Sequence, residues 1–153
     1  MTTATIKPID AIKLMRQSAE SMHAAKTERI GSPSCGDVVR QGDLYLVCIE
    51  SMPVGKATDN RQLAPGNTQG SRHVLSGDVT IVTSVDYKSL QQVAPESFTK
   101  RNLDAVLVGP AFSCNSDVEV THPEHGHKIL PAGTVWQVVY QQALADVVRR
   151  AKD

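Results

Sequence analysis

The segment Leu44-Tyr45-Leu46-Val47-Cys48-Ile49 limits the possible folds more than any other. It is an unbroken apolar run, bounded by the turn signal Arg40-Gln41-Gly42-Asp43 on one side and a polar, Pro- and Gly-rich stretch on the other. A run this short, with branched residues, suits a strand buried on both faces rather than a helix. A chain with such a strand must cover both faces with other layers. The remaining segments are therefore read for what they can supply.

They supply mostly strands. Arg72-His73-Val74-Leu75 and Val79-Thr80-Ile81-Val82 flank Ser76-Gly77-Asp78, which predicts a tight hairpin with Gly77 at positive φ. Asp104-Ala105-Val106-Leu107-Val108 predicts a strand stopped by Gly109-Pro110. Asp117 to Thr121 alternates with period two, which gives one buried face and one wet face. Val135 to Gln141 alternates as well: Trp136, Val138 and Tyr140 share a face, and a half-buried strand is expected. Residues 51–70 have the composition of a long loop, and Tyr87 to Val93 that of a short helical turn ahead of Pro95.

Helical periodicity is confined to the two ends. Asp10 is a natural N-cap, and Ile12, Met15, Ala19 and Met22 form one apolar stripe on a helix running to about Ile30, with Gly31 as C-cap. Ser32-Pro33-Ser34-Cys35-Gly36-Asp37 is a linker by composition. Ala143 to Lys152 predicts a short closing helix whose last turn carries Arg149, Arg150 and Lys152. The expected architecture is mainly β: a small barrel, sandwich or jelly roll of about six strands, with an N-terminal helical arm and a short C-terminal helix. Residues 1–37 would be the arm and linker, and residues 38–153 the β domain with its closing helix.

Charge and composition narrow the function classes. Sixteen basic residues balance sixteen acidic ones in 153, so nothing draws the chain generally to nucleic acid or an anionic membrane. Aromatics are 4%, too few for a base-stacking surface. Neutrality suits a chain built into an assembly, and an arm on a linker is a common way for subunits to interlock. The three cysteines, Cys35, Cys48 and Cys114, have neither disulfide parity nor metal-knuckle spacing, and reduced thiols point to an intracellular (cytoplasmic) or virion location. No run approaches membrane-spanning length.

Chemistry concentrates in Thr121–Thr134, which holds His122, His125 and His127, three of the five histidines. Neutral imidazoles ligate divalent transition metals, and His122 and His125, bent around Pro123, can face one point, with His73 as a ligand from a distant part of the chain. Glu124 is a further candidate ligand, base or orienting group. The spacing is not that of His-Glu-x-x-His, because Pro123 sits badly in a helix. Ser113-Cys114-Asn115-Ser116 offers nucleophile types without a nucleophile elbow, and no glycine cluster forms a phosphate-binding loop.

Two resemblances follow from these residues. Gly126, then Pro131-Ala132-Gly133, resembles part of the second cupin motif, and His125-Gly126-His127 resembles the paired histidines of the first. Cupins are jelly-roll barrels that often hold a metal, but the position of the second-motif histidine is Trp136 here. Over roughly residues 40–150, the order Arg40-Gln41-Gly42-Asp43, Gly70-Ser71-Arg72-His73, His122-Pro123-Glu124-His125 and Leu130-Pro131-Ala132-Gly133 resembles an uncharacterised group of small bacterial and phage β proteins. That group has Gly-His-x-His where this chain has Ser71 in place of the first histidine. The resemblance implies no known activity, and the group's phage members raise the expectation of a virion role. The expectation is a non-enzymatic structural or assembly protein of the capsid-decoration (cement) type. Its partners would be proteins, namely copies of itself and a capsid shell, and it would need no cofactor. The alternative is a metal-binding, cupin-like barrel, enzymatic or not, holding a divalent transition metal on His73, His122 and His125.

Overall fold

A computed structural model describes residues 27–64, 72–94 and 107–141, together with the single residue Lys13. The element order is β1 (Glu28–Arg29), β2 (Val38–Gln41), β3 (Leu44–Ile49), β4 (Lys56–Thr58), β5 (Val74–Ser76), β6 (Val79–Thr83), α1 (Tyr87–Val93), β7 (Val108–Cys114), β8 (Val118–Thr121), β9 (Lys128–Leu130) and β10 (Val135–Tyr140). One sheet has the order β1-β9-β8-β5 and the other β2-β3-β10-β7-β6-β4. Neither closes into a barrel, so of the expected forms the sandwich is the one that fits. Pairing is antiparallel throughout, except for β1 against β9.

The main core lies between the sheets. Leu44, Leu46, Cys48, Ile81, Phe112, Trp136 and Val138 come from the larger sheet, and Leu75, Val118, Val120 and Leu130 from the smaller. A second cluster covers the outer face of the larger sheet, where Leu90 of α1 packs with Val47, Ile49 and Val139. Asp86 caps α1 by accepting from the Ser89 amide. The expected helical turn is therefore present, and it supplies the second layer that β3 requires. It also corrects the reading of β10. That strand lies between β3 and β7 under α1, so Gln137 and Val139 are buried as well as Trp136 and Val138. The strand is buried on both faces, not half-buried.

The described residues hold ten strands rather than about six, because several pairings are two to four residues long and leave no periodic signal. Other expectations change as well. The helix does not reach Ile30: Glu28 and Ile30 donate backbone hydrogen bonds to His127 and Ile129, and Arg29 pairs with Asp117 at 2.8 Å. The 32–37 stretch is a turn laid along β3, with Gly36 donating to Cys48 O and Cys48 to Asp37 O. Residues 51–64 include an edge strand, β4, and bury Leu63. β5 and β6 are not a hairpin. Gly77 (φ 129) turns the chain from one sheet to the other, so β5 pairs with β8 and β6 with β7.

Gly109-Pro110 does not stop a strand either, because β7 runs through it. The register against β10 shifts there: four residues of β7 (Val108 to Ala111) lie opposite three of β10 (Val139 to Gln137). Such a bulge is where a strand tolerates a proline that cannot donate. The Gln137 amide reinforces it by donating to Gly109 O at 2.8 Å and Pro110 O at 3.2 Å. The expected helices at 10–26 and 143–152 lie outside the described residues, Lys13 apart.

Candidate functional site

At one end of the sandwich, the β2–β3 turn of the larger sheet meets the β8–β9 connection of the smaller. Gln41 and Leu44 pair across β2 and β3, which leaves Gly42-Asp43 as a two-residue turn with Gly42 at φ 61. On β2, Val39 and Gln41 point inward while Val38 and Arg40 point out. A glutamine is thus carried into the core at the end of an otherwise apolar face. It is fully satisfied there: its Nε2 donates to Val120 O at 3.0 Å and Gly126 O at 2.8 Å. Its Oε1 stands 2.8 Å from His73 Nδ1. One side chain thus links both sheets, the histidine loop and the start of β5.

The structure brings His73, His122 and His125 together. Ring centroids are 4.4 Å apart for His73 and His122, 4.3 Å for His122 and His125, and 6.4 Å for His73 and His125, whose rings lie 12° from parallel. His73 and His122 are buried and His125 is half-buried. Pro123 bends the connection so that the Glu124 and His125 amides both reach His122 Nδ1 at 3.0 Å. His127 leaves the cluster: its Nδ1 lies 2.8 Å from Glu119 Oε1 on β8. Glu124 is exposed. Among the described residues, no three His, Cys, Asp or Glu side chains stand ready to hold a metal ion.

The hydrogen bonds decide the tautomers. Gln41 Nε2 is committed to two carbonyls, so Gln41 Oε1 is an acceptor and His73 must carry its proton on Nδ1. Burial, reinforced by His122, pushes His73 down to about 4, against the opposing pull of Asp43, so the ring is neutral at pH 7. Its Nε2 then holds a lone pair, 3.6 Å from Asp43 Oδ1. His122 is the reverse case. Its Nδ1 accepts two amides, so the neutral ring is protonated at Nε2 and does not offer that nitrogen to a metal. The expected ligand set of His73, His122 and His125 is therefore assembled in space but not uniformly in donor chemistry.

Beside the cluster is an open depression of about 440 Å³ lined by Arg40, Gly42, Asp43, His125 and Gln141. Arg40 Nε donates to Gly42 O at 2.8 Å, and its guanidinium lies 5.6 Å from the centroid of Tyr45, its cross-strand partner. His125 covers the turn so closely that a Cβ on Gly42 would stand 2.5 Å from His125 Cδ2. Gln41 and Asp43 are the site residues that sequence reasoning missed, because Arg40-Gln41-Gly42-Asp43 looks like a turn and nothing more. The available signal was Gln41 two residues after Val39, a polar residue in an inward register.

The other candidate chemistry does not gather here. Cys114 is buried in the main core and its thiol is pushed up to about 11 by burial. Trp136, at the position of the cupin histidine, is a core residue whose Nε1 donates to Thr134 Oγ1 at 2.8 Å.

Residues 40–141 match the model of a family described as a domain of unknown function, DUF8820. The chain is a DUF8820 protein. The matched span starts and ends on Arg40 and Gln141, two residues lining the depression, and encloses every residue of the cluster. No curated protein and no solved structure matches the DUF8820 chain. No helix among its described residues is long and apolar enough to cross a membrane.

Proposed function

We propose that this DUF8820 protein is a non-enzymatic assembly protein that acts by contact with other proteins, in the manner of a subunit decorating a phage capsid. One observation carries the reading: the imidazole nitrogens at the centre of the cluster serve the fold. His73 Nδ1 is spent on Gln41, and His122 Nδ1 on two amides of its own loop. Together they clamp the ends of the two sheets, as suits a domain that must present a fixed surface. The zero formal charge and the resemblance to phage proteins support the same reading. Sedimentation of the full chain, alone and with empty phage shells, tests it. A discrete oligomer or co-sedimentation with shells is expected. A chain that stays monomeric and passes the shells by refutes the proposal.

A further inference from the structure

We infer that the free edge of β2 is a self-association surface: the same edge of a second copy of this chain adds to it in antiparallel register, about a two-fold axis at Val39. The inference rests on the proposed assembly role and names the surface through which copies meet.

The backbone is the first ground. Cys48 N donates to Asp37 O, and Gln41 pairs with Leu44 across the two-residue turn, so the backbone groups of Asp37, Val39 and Gln41 face β3. Those of Val38 and Arg40 face the other way, and β2 is the last strand of its sheet. Among the described residues nothing takes them up.

The other sheet margins are guarded, which is the second ground. β5 is covered by residues 61–63: Leu63 N donates to His73 O, and Leu75 N to Arg61 O. β1 has two residues, both charged, and β4 has three, beginning with Lys56. Short and charged edges are the usual protection against strand addition. β2 lacks it. Arg40 is its one charged residue, and that charge is folded back, with Nε on Gly42 O at 2.8 Å and the guanidinium 5.6 Å from the Tyr45 ring centroid. Val38 is 56% exposed on the same strand, and the only other exposed large hydrophobic among the described residues, Val54, lies outside the strands.

Self-complementarity selects the occupant. A two-fold contact must set a patch against itself. With the axis at Val39, Val38 lies opposite the partner's Arg40, and Arg40 opposite the partner's Val38. Each such pair exchanges both backbone hydrogen bonds, using the groups that face away from β3. Both side chains point to the outer face, where the arginine stem covers the exposed valine. No like charges stand directly opposite there, and zero formal charge sets up no general repulsion between copies. The two six-stranded sheets then run on as one.

Sedimentation equilibrium of the full chain over a wide concentration range tests this, in a Cys35→Ser background that excludes dimers linked through the exposed thiol. A reversible monomer–dimer equilibrium is expected. Val38→Pro should abolish it while circular dichroism stays unchanged, because the lost N–H points away from β3. Charge at the same exposed position decides independently of whether that variant folds. Val38→Lys, set opposite the partner's Arg40 twice per dimer, should weaken association at least about fivefold, and Val38→Glu should hold or tighten it. Equal weakening by Lys and Glu, dimers that ignore Val38→Pro and Val38→Lys, or a chain monomeric throughout overturns the proposal. A monomeric chain that still co-sediments with phage shells overturns this edge alone and leaves the assembly role standing; one that also passes the shells by refutes both.

Discussion

Gln41→Leu is the substitution that most directly tests how this end of the sandwich is held. Leucine fills similar space, so packing is largely kept and the polar contacts alone are lost. Gln41 is 1% exposed, and its removal strands His73 Nδ1–H, Gly126 O and Val120 O. A buried polar group left without its partner costs about 1–3 kcal/mol. Counting the His73 donor near the middle of that range and the two carbonyls, which have second lone pairs, near its lower end gives about 4 kcal/mol. That is a large share of the roughly 5–15 kcal/mol that stabilises a domain. At about 2–4 °C per kcal/mol for a chain of this length, the melting temperature should fall by roughly 10 °C. Urea unfolding should show the same loss as a lower midpoint with an unchanged slope. A cycle with His73→Leu isolates the shared contact. Once His73 no longer needs an acceptor, Gln41→Leu should cost at least about 1 kcal/mol less than it does alone. A loss below about 1 kcal/mol for the single variant, or strict additivity in the cycle, would show that Gln41 is a passive occupant of the core.

Three other outcomes follow from the same geometry. In metal-free buffer, stability should fall with acid. His73 is held near 4 in the fold against about 6.5 unfolded, so its contribution is complete above about pH 6.5, declines as the unfolded chain takes the proton first, and levels off below about pH 4. The ceiling is about 3 kcal/mol, and water reaching the neighbouring Asp43 should trim it to roughly 2 kcal/mol; a flat urea midpoint across that window contradicts the burial argument. Gly42→Ala should cost about 1–2 kcal/mol, because φ is 61 there and the new Cβ would sit 2.5 Å from His125 Cδ2. The His125 ring signals should shift with it, and an unmoved His125 spectrum would rule out the contact. At pH 8 a thiol reagent should label Cys35 quickly and reach Cys48 and Cys114 only on unfolding, since both are buried and Cys114 is held at about 11. Two fast thiols per chain would count against the core as described.

What could be read from the sequence was whatever a local period encodes. The apolar run of β3 demanded two covering layers and has them, in the smaller sheet and α1. The alternation of β8 and the α1 turn were equally legible, because each needs only its own residues to declare itself. What could not be read was pairing. Ser76-Gly77-Asp78 permits a reversal within one sheet or a step between two, and the choice is made by β8, more than forty residues away. β1 has two residues and no period, and exists because Lys128–Leu130 offers it an edge. Pro110 lies within β7 because a bulge and the Gln137 amide accommodate it, and neither is a property of the Gly-Pro pair.

The candidate site divides along the same line. Three histidines were conspicuous as residue types, and long-range packing does gather them. What each nitrogen can do depends on neighbours that look like turn residues. Gln41 makes His73 Nε2 a lone-pair donor by taking the proton side of the ring, and the bend at Pro123 makes His122 an acceptor of amides. Asp43 becomes the facing group only because a two-residue turn, forced by Gly42, puts a carboxylate beside a buried imidazole. Histidine clustering alone therefore points to a place in this fold and not to a ligand set. The identity of the donors is written in the hydrogen bonds of Gln41 and Pro123's loop, so altering Gln41 should change the behaviour of His73 more than altering His122 does.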